Sequence, residues 1–117
     1  MKIVGVTKCP VGIAHTYLAA EKLDKAGKKL QHEIKVETQG AQGTENKLTD
    51  EEIVQADYVV IAADAAIEGE DRFVGKKVLK IPIKEVIRDA AAVINSLQNR
   101  SKVYEQTKTE ESTEKAA

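Results

Sequence analysis

Hydrophobic positions along the chain change rhythm several times, and each rhythm predicts an element. Residues 2–7 (KIVGVT) form a short β-branched apolar run, as expected of a buried strand. Ala19, Leu23, Ala26 and Leu30 then recur at helical spacing, while Glu21, Lys22, Asp24, Lys25, Lys28 and Lys29 occupy the other side. EIKVET (33–38) alternates with Ile34 and Val36 inward, which predicts a strand with one exposed face. DYVVIAA (57–63) is continuously apolar, as in a strand covered on both faces. Between them LTDEEI (48–53) signals a short helix, with Thr49 as N-cap, Glu52 completing a capping box and Leu48 and Ile53 placed as a hydrophobic staple. KVLKI (77–81) predicts a fourth strand, and Pro82 opens a last helix whose apolar face contains Ile83, Val86, Ile87, Ala90, Val93, Ile94 and Leu97. Residues 64–76 show neither rhythm and predict a long irregular connection.

Strands alternating with helices predict an α/β fold: a three-layer sandwich around a four-stranded, mainly parallel sheet with right-handed crossovers. The order 2-1-3-4, flavodoxin-like or low-molecular-weight-phosphatase-like, puts the alternating strand at an edge and the continuous one inside. It also places a switch point beside the first strand, where the loop after residue 8 opens at the carboxyl end of the sheet. From Asn99 the mixture of Lys, Glu, Ser and Thr loses periodicity. Residues 1–98 are therefore expected to form one domain and 99–117 a disordered tail or linker.

Composition narrows the function more than the fold. Lys and Arg number 18 against 19 Asp and Glu, so no basic excess exists for gripping nucleic acid. The longest apolar stretch, YVVIAADAAI, falls short of the roughly 20 residues a membrane span needs. No export signal is legible, and a cytoplasmic location is expected. The single cysteine cannot close an internal disulfide or build a cysteine cluster for a metal.

That cysteine stands in KCPVGIAHTY (8–17), between the first strand and the first helix. A cysteine there faces backbone N–H groups and the positive end of a helix dipole, a setting that suits an anion and favours thiolate over thiol. Cys9 is the expected nucleophile. Pro10, Val11, Gly12, Ile13, Ala14, His15 and Thr16 are the expected phosphate-binding loop, with Gly12 allowing close approach and Thr16 supplying a hydroxyl. The spacing Cys-x5-His-Thr lines up with the Cys-x5-Arg-Ser/Thr loop of cysteine-dependent phosphatases, but His15 stands where they have arginine. Losing that bidentate fork, and lacking an Asp-Pro pair for a general acid, disfavours hydrolysis and favours a phosphocysteine that hands its phosphate on.

CPVGIAHTYLAAEKL, with KVETQGAQG and ADAAIEGEDRFVGKKV, resembles the fructose-family IIB component of the bacterial phosphoenolpyruvate-dependent sugar phosphotransferase system (PTS) from about Lys2 to Leu97. The resemblance implies that Cys9 accepts a phosphoryl group from a phosphohistidine of a IIA component and gives it to a sugar, fructose or a relative, held by the membrane component IIC. It implies a location at the inner face of the membrane through IIC, with no insertion of this chain itself. No metal, nucleotide or other cofactor is expected. The family loop reads Cys-Pro-Thr-Gly, so Val11 is a departure that leaves phosphate binding at that position to the backbone. A phosphatase or arsenate-reductase-like enzyme and a regulatory phosphocysteine module are the alternatives.

Three further expectations concern the surroundings. Gln39 and Asp64 fall at the carboxyl edge near Cys9, Gln39 as a hydrogen-bond donor to a phosphoryl oxygen and Asp64 as a turn cap or a support of the first loop. Arg72 is expected to pair with Glu68, Glu70 or Asp71. His32 is expected to be structural or solvent-facing.

Overall fold

The computed structural model describes residues 1–8, 13–40 and 43–104. Its six-stranded sheet runs in the order β3 (Gly43–Glu45), β2 (Glu33–Gly40), β1 (Lys2–Lys8), β4 (Tyr58–Ala63), β5 (Lys77–Ile81) and β6 (Lys102–Val103). The pairs β2–β1, β1–β4 and β4–β5 are parallel, whereas β3 and β6 are short antiparallel additions at the two edges. The expected four-stranded sheet of order 2-1-3-4 is thus corrected to six strands. Two and three residues, without a periodic pattern of their own, pair because a long neighbour offers them a ladder.

Alternation along the central strands sends side chains into two cores. Ile3, Val60, Ala62, Leu79 and Ile81 pack under α1 (Ile13–Lys29) and α3 (Ile83–Asn95), where Ala19, Leu23, Val86, Val93 and Ile94 complete the layer. Val4, Val6, Val59, Ile61 and Val78 face the other way, onto Leu48, Ile53, Ile67 and Phe73. This second layer contains α2 (Asp50–Gln55) and a 3₁₀ turn at Glu70–Phe73, so helical elements flank both faces of the sheet. Helix α1 approaches β2 closely: a Cβ on Gly27 would lie 2.7 Å from Cγ2 of Ile34.

The start of α2 follows its sequence signal. Glu52 N donates to Thr49 Oγ1 at 3.1 Å, Thr49 N donates to Glu52 Oε1 at 2.9 Å, and Leu48 and Ile53 are both buried in the second core. Helix α3 departs from the single continuous helix its apolar face predicts. Asp89 has φ −162° and ψ 86°, and its Oδ1 accepts from Ala92 N at 3.0 Å, so its carboxylate caps the second half while the apolar stripe continues.

Two other expectations change. Val36, Glu37, Thr38 and Gln39 of β2 are all buried, so the alternating strand is covered on both faces towards its carboxyl end. The irregular connection 64–76 folds over that strand's polar side. The tail expected from Asn99 begins instead inside α4 (Leu97–Arg100) and continues through β6, after which Tyr104 N donates to Lys76 O and Gly75 N to Tyr104 O. Backbone pairing with β5, which needs no side-chain periodicity, orders this stretch.

Candidate functional site

The carboxyl edge of the parallel strands is where β1 ends at Lys8 and α1 begins at Ile13. Cys9, Pro10, Val11 and Gly12, which join them, lie outside the described residues, as do the side chains of Ile13 and Ala14. β1 lies between β2 and β4, with α1 on one face of the sheet and α2 on the other, so the junction falls at the switch point of the sheet.

The first turn of the 17-residue α1 contains no acidic side chain, which leaves the positive pole of the helix uncompensated by its own residues. His15 is exposed there. Thr16 is fully buried, and its Oγ1 has no hydrogen-bond partner among the described residues. Its carbonyl accepts from Thr7 Oγ1 at 3.0 Å, a bond that ties the helix start to the end of β1. Thr38, which is in register with Thr7, also has a buried Oγ1 without a partner among the described residues. Two buried hydroxyls with donor capacity to spare thus stand on this edge.

On the opposite face the edge is closed by an ion pair. Arg72 donates through Nη1 to Glu37 Oε1 at 2.9 Å and through Nη2 to Glu37 Oε2 at 3.0 Å. The Glu37 side chain is 1% exposed and that of Arg72 15%. Burial pushes the Glu37 carboxyl up. The hydrogen bonds from Arg72, Gln39 and the Leu48 amide, together with the Arg72 charge, outweigh burial and hold it below the usual carboxylate range. Arg72 also donates to the Gly69 and Glu68 carbonyls. The expected pairing of Arg72 with Glu68, Glu70 or Asp71 is therefore replaced by Glu37, a carboxylate on a strand 35 residues away in sequence.

Gln39 belongs to the same network. Its Nε2 donates to Glu37 Oε2 at 2.8 Å and to Glu68 O at 3.0 Å, and its Oε1 accepts from Glu68 N at 2.8 Å. Both amide protons are committed, so Gln39 holds the connection rather than presenting a donor to a phosphoryl group. Asp64 N donates to Lys8 O at 3.1 Å, and Asp64 Oδ1 accepts from Ile83 N at 3.3 Å, capping the start of α3. Lys8 Nζ donates to Ala66 O at 2.9 Å.

Tyr17 forms part of the rim. Its hydroxyl donates to Glu45 Oε2 at 3.2 Å and would lie 2.8 Å from a Cβ on Gly40, so a larger residue at the end of β2 would push the tip of Tyr17 aside. Burial, the hydrogen bond to Glu45 and its charge raise the phenol pKa. His32 is remote from this edge: its Nδ1 lies 3.3 Å from the N-terminal amine. Among the described residues no group of three or more His, Cys, Asp or Glu could hold a metal ion, and no helix is long and apolar enough to cross a membrane.

The polar network of Glu37, Arg72 and Gln39 was the part hardest to anticipate. Its one signal is that Glu37 and Gln39 are two apart on a strand, hence on one face, where a pair of polar groups needs either water or a buried partner.

Residues 4–96 match the protein family described as PTS system, Lactose/Cellobiose specific IIB subunit. The "PTS system fructose-like EIIB component 2" of Escherichia coli (strain K12) is 44% identical over 97 residues, spanning 83% of this chain and 92% of that protein. The "Fructose-like PTS system EIIBC component" of the same strain is 44% identical over 106 residues, spanning 89% of this chain but only 22% of that longer protein. A crystal structure of a domain of the fructose-specific IIABC component from Borrelia burgdorferi superposes with a TM-score of 0.82 at 46% identity, covering 87% of this chain and 96% of that domain.

Proposed function

The chain belongs to the IIB family of the sugar phosphotransferase system, and on that premise we propose that Cys9 carries a phosphoryl group from a IIA component to a sugar bound by IIC. In the first step the Cys9 thiolate attacks phosphorus in line. The S–P bond forms as the P–N bond to the donor histidine breaks, and the electron pair returns to the imidazole. In the second step a sugar hydroxyl oxygen attacks the same phosphorus, the S–P bond breaks, and the hydroxyl proton leaves to solvent while the thiolate is regenerated. Loop amides and the α1 pole stabilise charge on the equatorial oxygens. Backbone N–H groups from Gly12 to Thr16 are the donors, with Pro10 and Val11 shaping the turn and the spare Thr16 hydroxyl at its base.

The observation that carries this reading is the junction itself. A central strand ends at Lys8, and a long helix with an acid-free first turn starts at Ile13, so the segment containing Cys9 leads into a positive pole. Arg72 supports transfer over hydrolysis: both of its Nη atoms are bound to Glu37, so it is not available as the phosphate fork a cysteine phosphatase uses. Fructose or a related sugar is the acceptor by likeness to the fructose-like relatives, and the working location is the cytoplasmic face of the membrane, beside IIC. Residues 1–98 make up the carrier domain, extended by the short β6 strand.

Incubation with phosphoenolpyruvate and the upstream phosphotransfer proteins, followed by peptide mass spectrometry, tests the proposal. The expected product bears one phosphoryl group on Cys9, and the Cys9→Ser variant bears none in the same interval. Label on His15, or rapid release of orthophosphate without an acceptor, refutes it.

A further inference from the structure

Charge is spread unevenly along this chain. Residues 76–102 hold seven Lys and Arg against two Asp and Glu, although the whole chain has 18 against 19. Folding keeps that excess together, because the same segment builds one flank of the domain: β5, α3, α4 and β6, where the sheet ends. Arg100 donates through both Nη atoms to Glu85, which holds α4 against the first turn of α3, and the charge of Arg88 reaches the same carboxylate. Lys84 adjoins Glu85 in sequence. Arg100, Lys102 and Lys80 line one groove along the outer edge of β5. Carboxylates answer few of these charges. Arg100 pairs with Glu85 and Lys80 with Glu70, while Asp89 is committed to capping the second half of α3. Lys84, Arg88 and Lys102 are exposed and have no ion pair among the described residues.

We propose that this flank is a peripheral membrane-docking surface whose ligand is the head groups of anionic phospholipid. The choice of a lipid surface over other anions rests on the carrier reading, which sets the chain to work beside a membrane component. The cations come from four elements and form a broad field rather than a pocket, so mobile head groups answer each of them without a fixed shape. Their apolar stems let the charged ends reach a common plane. Val103, 57% exposed beside Lys102, offers an apolar side chain to the head-group layer without insertion of the chain. Orientation agrees with the role. With this margin against the bilayer, β5 and the strands parallel to it lie along the membrane. The carboxyl edge, where β1 gives way to α1, then faces sideways, towards a protein embedded in the same bilayer. The lysines of α1 offer no equivalent field, since Lys25 and Lys28 pair with Glu21 and Asp24 on the same helix.

Sedimentation of the full chain with vesicles tests the docking surface. The vesicles are equal parts phosphatidylglycerol and phosphatidylcholine, phosphatidylcholine alone, and the anionic mixture with IIC incorporated. Binding is expected to the anionic mixture and not to phosphatidylcholine, and it is lost as salt rises from about 0.1 M to 1 M and the screening length falls from about 10 Å to about 3 Å. Lys84→Gln, Arg88→Gln and Lys102→Gln together are expected to weaken binding on the order of a hundredfold, at roughly fivefold for each cation. Lys25→Gln, Lys28→Gln and Lys29→Gln together make the same change in net charge on α1 and are expected to weaken it less than about threefold. All six positions are exposed, and circular dichroism checks that both variants fold. No binding to the anionic mixture, equal binding to phosphatidylcholine alone, or equal losses in the two variants overturns the proposal. Binding only where IIC is present assigns the flank to an acidic protein surface and likewise overturns it. Phosphorylation of Cys9 by IIA is measured on the same preparations. Label without lipid binding overturns the docking surface alone, whereas lipid binding without label overturns the carrier reading and leaves the docking surface standing.

Discussion

Replacing Arg72 with alanine removes one partner of an ion pair whose other member is sealed inside the protein. Glu37 is 1% exposed, and in the variant it would retain hydrogen bonds from Gln39 and the Leu48 amide but lose two charge-assisted bonds and the neighbouring positive charge. Breaking a buried pair from one side costs about 3–5 kcal/mol, which for a domain of this size is a fall in Tm of about 15–30 °C. Urea unfolding followed by circular dichroism measures the loss. Its pH dependence separates this cause from lost packing. In the unaltered protein the folded Glu37 pKa is depressed, so its contribution is present above the unfolded carboxylate pKa and disappears as pH falls through the folded value. In Arg72→Ala burial dominates and raises that pKa, so the penalty is largest at neutral pH and shrinks on acidification. The stability gap between the two proteins therefore narrows as pH is lowered from 7 towards 4. A loss below about 1 kcal/mol at neutral pH, or a gap independent of pH, refutes the argument.

Four further outcomes are expected. Cys9→Ser abolishes transfer of phosphate from IIA to sugar in a reconstituted assay while leaving the urea midpoint unchanged. Leu23→Ala, at a fully buried position between α1 and the sheet, lowers stability by about 2–5 kcal/mol in urea unfolding. Thr49→Ala removes the cap of α2 and costs about 1 kcal/mol by the same measurement. Burial, the hydrogen bond from Tyr104 to Glu70 and the acidic charge there push the Tyr104 phenol up to about 12, so ultraviolet titration of the unaltered protein shows a late step that Tyr104→Phe lacks. Because that pKa is raised, the associated stability is complete below the unfolded tyrosine value and is lost as pH climbs through about 12.

Periodicity and caps were legible because they depend on neighbours in sequence. The apolar face of α1, the Thr49–Glu52 box and the continuous DYVVIAA run each found the element expected of them. What stayed hidden depended on residues far apart. Nothing within EIKVET says that Glu37 will be buried, since its covering partner, Arg72, comes from the connection after β4. Asp89 sits on the polar side of an unbroken apolar stripe, so the break in α3 leaves the hydrophobic pattern intact. The strands β3 and β6 are too short for a period and exist because a neighbouring backbone has free groups to offer. At the site, the order of elements around Lys8 and Ile13 was predictable from sequence, whereas the tie from Lys8 to Ala66 required the folded connection.

The two margins of the sheet close on antiparallel pieces of three and two residues. Beyond them the outer edges of β2 over residues 33–37 and of β5 over residues 79–81 have no strand partner, and these stretches carry the charged Glu33 and Lys35 on one side and Lys80 on the other. A second sheet approaching from the side would have to strip water from these charges. Lateral stacking is therefore a poor way for this protein to meet anything. For the carrier role proposed above this is an advantage, since contacts made through helix ends and loops separate more readily than a shared ladder.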